Sequence, residues 1–340
     1  MKNLKAYTLE ELITEINKLG WEKYRADQIF SWIWQKGVTD INAMTNLSKE
    51  RRQLLASKYY ISSLTLLEHK EASDGAIKFL FELEDKNCIE SVFIPDGPRK
   101  TVCVSSQIGC ALKCKICYTG KISFIRNLKF YEIADQVLQI QKILAARITN
   151  VVFMGMGEPF LNYSEVLKAI EILNSDYGLN IGARKITVST AGIVPRIYDF
   201  THVPLQVKLA ISLNATTDKL RDILMPINKR YPLKELLSAV KYFTEHKQKR
   251  ITFEYVLIKG LNDTDADVIR LTKLLKNIPC KINIIPFNPF PDCSFEAPTL
   301  KETLSFVNKL YPQLPCVTVR KSKGSEILAA CGQLAGRATN

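Results

Sequence analysis

The 340 residues, 46% hydrophobic and 24% charged, have the balance of an ordinary globular protein with room for one domain of roughly 200 to 250 residues and a smaller module. No apolar run approaches the roughly 18 residues of a membrane span, and MKNLKAYTLEELI lacks the apolar stretch of a signal peptide, so a cytoplasmic protein without a membrane partner is expected. A surplus of 47 Lys and Arg over 34 Asp and Glu gives +13 and a pI near 9.2, which favours a polyanionic partner, nucleic acid first.

Residues 1–60 read as a compact helical module. Thr8 and Glu11 fit a capping box, Leu9, Leu12, Ile13 and Ile16 form an apolar stripe, and Gly20 is a stop. A second helix carries Ile29, Phe30 and Ile33 with Trp32 and Trp34, and ends near Gly37; core packing is the reading for both tryptophans. Over 61–105 the texture turns to alternation, IKFLFELE, IESVFIP and KTVCVS, broken by Asp85-Lys86-Asn87 and Asp96-Gly97-Pro98, which predicts a short antiparallel β extension.

From 106 to 340 strand-like and helix-like segments alternate. VVFMG, KITVST, VKLAIS, ITFEYVLI, INIIPF and CVTVR are strand candidates. The stripes Ile133/Val137/Ile140/Leu144, Val166/Ala169/Ile170/Leu173, Leu233/Leu236/Leu237/Val240 and Val268/Leu271/Leu275 are helical, and Thr299 with Glu302 offers another capping box. The fold class is α/β with a parallel sheet, open or closed into a full or partial barrel. Chemistry in such folds gathers at the C-terminal ends of the strands. GMGEP, Ser189-Thr190, Ser212-Leu213-Asn214 and Asn288-Pro289-Phe290 all stand at such ends.

Nine cysteines without a secretory signal point to metal or redox chemistry rather than a disulfide framework. CALKCKIC holds Cys110, Cys114 and Cys117, and none of the three histidines is near it in sequence. Three thiolates on a [4Fe-4S] cluster leave one iron open to chelation by an amino-acid headgroup such as that of S-adenosylmethionine. The bland alternative is a zinc knuckle with a distant fourth cysteine.

The motifs CVSSQIGCALKCKICYTG, RNLKFYEIADQV, FMGMGEP, ITVSTAGIVP, LMPINKRYP, PFNPFP and AACGQLAG occur in this order. In them the chain resembles the RlmN and Cfr group of RNA adenine methyltransferases in the radical S-adenosylmethionine (SAM) superfamily. The resemblance implies a partial (β/α) barrel, one [4Fe-4S] cluster on Cys110, Cys114 and Cys117, and two S-adenosylmethionine molecules per turnover. By position it implies cofactor contacts from Gly157, Glu158, Ser189, Ser212, Leu213, Asn214 and Asn288. Cys331 corresponds to the cysteine that accepts a methyl group and, after hydrogen abstraction from it, links to the adenine ring. Cys103 corresponds to the partner that forms a disulfide with Cys331 to free the product, and Glu90 aligns with a glutamate assigned to the ring proton.

Three positions depart from the family pattern: Ile116 where an aromatic is common, Tyr118 where Ala or Ser is expected, and Asn214 where His is expected. Pro159 after Glu158 resembles the C2-methylating RlmN branch more than the C8-methylating Cfr branch. The implied substrates are an adenosine of 23S rRNA and the adenosine 3′ of the anticodon in certain tRNAs. The implied partner is a reductant protein such as flavodoxin or ferredoxin, and a monomer suffices. Three alternatives stay open: a Cfr-like C8 enzyme, a noncatalytic zinc-containing RNA-binding protein, and a radical enzyme acting on a small molecule.

Overall fold

The computed structural model describes residues 1–314 and 316–336. Its N-terminal region packs three helices, α1 (Leu9–Asn17), α2 (Lys23–Trp34) and α3 (Lys49–Lys58). The capping box at α1 is formed: the Thr8 amide donates to Glu11 Oε2 at 2.8 Å and the Glu11 amide to Thr8 Oγ1 at 3.3 Å. Leu12, Ile16, Ile29, Phe30, Ile33 and Trp34 are buried together. Trp32 is half-buried; its Nε1 donates to Asn46 Oδ1 at 2.6 Å and Lys36 sits over its ring. Ahead of α1, Lys5 reaches from this region to Asp135 at 2.6 Å, both side chains almost wholly buried. Such a pair fixes the docking of the module, because removing one partner strands a buried charge.

The remaining chain builds one ten-stranded sheet. Strands β1 (Thr65–Glu71), β2 (Ile77–Glu82), β3 (Cys88–Asp96) and β4 (Arg99–Cys103) form an antiparallel meander. The Asp85-Lys86-Asn87 break carries Lys86 in the left-handed region, and the turn at Gly97 follows the expected punctuation. Beyond β4 the pairing becomes parallel through β5 (Asn150–Phe153), β6 (Ile186–Thr190), β7 (Lys208–Ser212), β8 (Ile251–Leu257), β9 (Cys280–Pro286) and β10 (Val317–Val319). β4 serves both halves: Cys103 lies opposite Val92 in the antiparallel ladder and opposite Val152 in the parallel one. The sheet therefore runs without a break across residue 105, where the sequence suggests a change of domain.

Crossover helices connect the parallel strands: α4 (Phe130–Ile143), α5 (Tyr163–Asn174), α6 (Val194–Thr201), α7 (Asp218–Leu224), α8 (Leu233–Lys247), α9 (Asp265–Leu275) and α10 (Leu300–Leu310). Four of these carry the stripes read from the sequence, and α10 opens on the Thr299–Glu302 capping box. The two short helices α6 and α7 have no long stripe to announce them. Pro195 at the start of α6 and the Thr217 cap of α7 are their local signals. Seven parallel strands in sequential order, each joined to the next by helix, make a partial (β/α) barrel. Among the described residues no helix is long and apolar enough to cross a membrane.

Candidate active site

At the C-terminal ends of the barrel strands lies an open cavity. Cys110, Cys114, Cys117, Gly157, Glu158, Ser189, Ser212, Asn214, Asn288 and Cys331 all line it, so residues scattered over some 220 positions of sequence converge on one wall.

The cysteine loop follows β4 and is folded on itself. The Cys117 amide donates to Cys114 O at 3.3 Å, the Gly120 amide to Cys117 O at 3.0 Å, and the Lys115 amide to Leu224 O at 2.9 Å. Gly109 enters the loop with φ +71°, and a Cβ there would lie 2.1 Å from Ser123 O, so no side chain fits. Burial pushes the Cys110 thiol up to about 12 and Cys114 and Cys117 above the ordinary cysteine value, with the neighbouring thiols adding to the first two. As bare side chains all three are held neutral; as thiolates they need a compensating cationic group. Among the described residues no three or more His, Cys, Asp and Glu side chains close around a single ion. Three thiols whose burial disfavours the thiolate suit a group that brings its own positive charge, as the irons of a cluster do.

Glu158 begins the turn after GMG. Gly157 holds φ +94°, and a Cβ on it would meet Gln107 Cβ at 2.4 Å, which lets the Glu158 amide reach Gln107 Oε1 at 2.8 Å. Glu158 Oε1 accepts from the Phe160 amide at 3.0 Å and Oε2 from the Ala191 amide at 2.8 Å. Burial nevertheless pushes its carboxyl up to about 7, and no Lys or Arg pairs with it among the described residues. A buried carboxylate without a cation fits a ligand that brings an ammonium, as the amino-acid end of S-adenosylmethionine does.

Ser189 stands one residue before the end of β6, and Ser212 ends β7. Asn214, in the left-handed region, spends its side chain on structure: Oδ1 accepts from the Val256 amide at 2.9 Å and Nδ2 points to Met225 Sδ at 3.2 Å. Leu213 does not reach the cavity; its side chain is in the core and its amide donates to Glu254 O at 2.9 Å. Asn288 Nδ2 donates to Cys331 O at 3.1 Å and so positions the C-terminal segment.

Cys103, at the end of β4, is buried with Val92, Met156, Ala329 and Leu334 rather than lining the cavity. Burial, then the Cys331 charge, push its thiol up to about 12. Arg320 lies in the field of both thiols: Cys331 is the main influence holding its guanidinium above the ordinary value. Both cysteines are free thiols. Glu90 also stands outside the cavity. Its Oε1 pairs with Lys78 at 2.9 Å, while Oε2 accepts from the Ala335 and Gly336 amides at 2.8 and 3.1 Å.

Four residues of the site escape a motif reading. Arg221, fully buried, donates to Ala191 O at 2.6 Å, Ser212 O at 3.1 Å and Leu213 O at 3.0 Å, tying the ends of β6 and β7 together. Gln107 anchors the GMGEP loop, Arg320 faces the cysteine pair, and Glu254 lines the cavity with an Oε2 that has no hydrogen-bond partner. The visible signal for Glu254 was an acid inside the otherwise apolar strand ITFEYVLI.

Two family models match: the Radical SAM superfamily over residues 104–272, and the ribosomal RNA large subunit methyltransferase N-terminal domain over residues 2–61. Over 98% of its length the chain is 47% identical to the dual-specificity RNA methyltransferase RlmN of Geotalea uraniireducens, covering 97% of that protein. The chain belongs to the RlmN family of radical SAM methyltransferases. It is equally 47% identical, over the same shares, to a probable RlmN of Thermotoga petrophila. A crystal structure of a radical SAM methyltransferase from Sphaerobacter thermophilus superposes with a TM-score of 0.93 at 42% identity, covering 98% of this chain and 99% of that one. Membership implies a [4Fe-4S] cluster and S-adenosylmethionine, and the superfamily model spans the whole cysteine loop, so the zinc reading is withdrawn.

Proposed function

We propose that this chain is a radical SAM RNA methyltransferase that forms 2-methyladenosine in 23S rRNA and in tRNA, at the adenosine 3′ of the anticodon, through a methylated cysteine. The observation that carries the reading is the meeting of two thiol centres at one cavity. Cys110, Cys114 and Cys117 line it beside Cys331, with Cys103 within electrostatic reach of Cys331. Pro159 and the likeness to RlmN proteins favour the RlmN branch.

Bound together, the cluster and two S-adenosylmethionine molecules per turnover supply a methyl group and a carbon-centred radical. Cys110, Cys114 and Cys117 hold the cluster, and Glu158 receives the ligand's ammonium. Gly157, Ser189, Ser212, the Leu213 backbone, Asn214 and Asn288 shape the rest of the seat. Cys331 gives up its proton, takes the methyl group and later carries the adduct, with Arg320 lining the cavity beside it. Cys103, buried and protonated until the end, closes a disulfide with Cys331 as the product leaves. Glu90 takes the ring proton only after releasing Ala335 and Gly336, which hold one of its oxygens.

Residues 1–60 act as the RNA-engaging accessory module, 61–105 as the β extension, and 106–340 as the catalytic barrel. A flavodoxin- or ferredoxin-like reductant, a monomeric state and a cytoplasmic site complete the reading. The test is mass spectrometry of nucleosides after incubating the reconstituted, reduced protein with unmodified rRNA and tRNA. 2-Methyladenosine in both RNAs is expected. 8-Methyladenosine would move the chain to the Cfr branch, and no methyladenosine from a protein with an intact cluster would overturn the reading.

A further inference from the structure

Five of the seven parallel strands open alike. Arg99 stands four residues before Cys103, Lys185 four before Ser189, Lys208 four before Ser212, Arg250 four before Glu254 and Lys281 four before Ile285. Strand residues an even number apart share a face and rise about 3.3 Å each. Ser189, Ser212, Glu254 and Ile285 line the cavity. Lys185, Lys208, Arg250 and Lys281, each within one residue of the start of its strand, therefore stand in register with inward-facing positions, roughly 13 Å below the site at the N-terminal mouth of the barrel, and Arg99 opens the neighbouring β4.

All five are exposed, and Lys208 feels the charges of three of the others. Burial, then the charges of Lys281, Lys185 and Arg99, hold Lys208 below the ordinary lysine value. Lys249 is lowered by burial and then by Arg184, Lys247 and Lys208. Arg99 lies 3.9 Å from Asp96, but Lys185, Lys208, Arg250 and Lys281 form no ion pair among the described residues. The cavity is different: Glu158, Glu254 and Arg320 all line it. The mouth thus carries a group of charges of one sign, whereas the cavity lining carries acids as well.

We propose that this mouth is a second RNA-binding surface, which takes backbone phosphates of a substrate large enough to reach round the barrel from the cavity and is not engaged by a short stem-loop. It rests on the reading that the substrate is RNA. A ring of one sign meets a polyanion by neutralising phosphates and releasing their counterions. A protein partner would need an apolar centre to its interface. None of the large exposed hydrophobic residues lies within 99–103, 184–189, 202–212, 247–254 or 279–285.

The experiment measures affinity across a salt series for two RNAs, an adenosine-bearing stem-loop and a long rRNA fragment containing it, with wild type and the double variant Lys208→Glu, Lys281→Glu. The variant is expected to bind the long fragment about tenfold or more weakly, with a salt slope shallower by about two, while its affinity for the stem-loop is unchanged. The milder Lys208→Gln, Lys281→Gln pair moves the same way by less, and thermal melts establish that both variants fold. Unchanged affinity for the long fragment would overturn the proposal, as would equal weakening for both RNAs. Slower cluster reduction by flavodoxin at unchanged RNA affinity would reassign the surface to an acidic protein and overturn it too. If the wild type bound and methylated neither RNA, the functional reading itself would fail, a result distinct from failure of the mouth alone.

Discussion

The cysteine loop and the C-terminal segment line the same cavity but are held by different means. The loop closes on its own backbone, with amides of Cys117 and Gly120 donating within it and Gly109 packed where no side chain fits. Residues 324–336 are tethered instead by side chains from distant parts of the chain. Asp74 holds the Gly324 amide, Lys78 the Leu328 carbonyl, Asn288 the Cys331 carbonyl, and Glu90 the Ala335 and Gly336 amides. Large apolar side chains hardly anchor the segment: Leu334 is buried, and beside it only the small Ala329 and Ala330 among its described apolar residues. The difference matches the proposed duties. A cluster seat must not move, whereas Cys331 must serve a methyl donor, a base and Cys103 in turn, and hydrogen-bonded tethers exchange more readily than packed ones.

The largest effect that separates the two regions is expected from Cys114→Ala. It should abolish iron retention and all methyl transfer while leaving the melting temperature of the cluster-free protein nearly unchanged. Iron analysis and thermal melts check this, and full iron content would break the assignment of the loop.

A pH series probes the cluster side next. The Glu158 carboxyl sits at about 7 in the fold against 4.5 unfolded, so its protonated form stabilises the folded state. That contribution is fully present below 4.5 and is lost as pH rises through about 7. Denaturant titrations of cluster-free protein should show a fall of about 3 kcal/mol over this window, absent in Glu158→Gln. The tether side is tested by Glu90→Gln, which keeps the shape but loses the charge facing Lys78 and weakens the hold on the tail. Hydrogen exchange at Ala335 and Gly336 should quicken in step with a loss of about 1–3 kcal/mol, with iron content unchanged. The smallest effect is Asn288→Ala, about 1 kcal/mol of the same local protection at Cys331 and Gly332.

The same contrast explains what the sequence made legible. A contiguous loop such as CALKCKIC carries its chemistry in its spacing, and period-two and period-3.6 patterns gave six barrel strands and the four long helices, because each pattern is local. The parallel ladder also followed from the alternation of these elements. What escaped is tertiary. β4 looks like one more alternating strand, and nothing local says that its other edge begins a parallel sheet. Arg221, Gln107 and Lys78 act through partners as far as 30, 51 and 250 residues away, and none falls at a position marked by spacing. Resemblance placed Glu90 in the site; only the fold reveals that the tail bearing Cys331 already occupies one of its oxygens.

The central claim is that the loop and the segment serve one reaction, with Cys103 releasing what Cys331 carries. Its most direct test is to incubate reconstituted Cys103→Ala with S-adenosylmethionine, reductant and substrate RNA, then digest and identify what is attached to the protein by mass spectrometry. The account predicts RNA joined through a methylene to Cys331 and little free methylated product. Free 2-methyladenosine at the wild-type rate, with no adduct on Cys331, would contradict it.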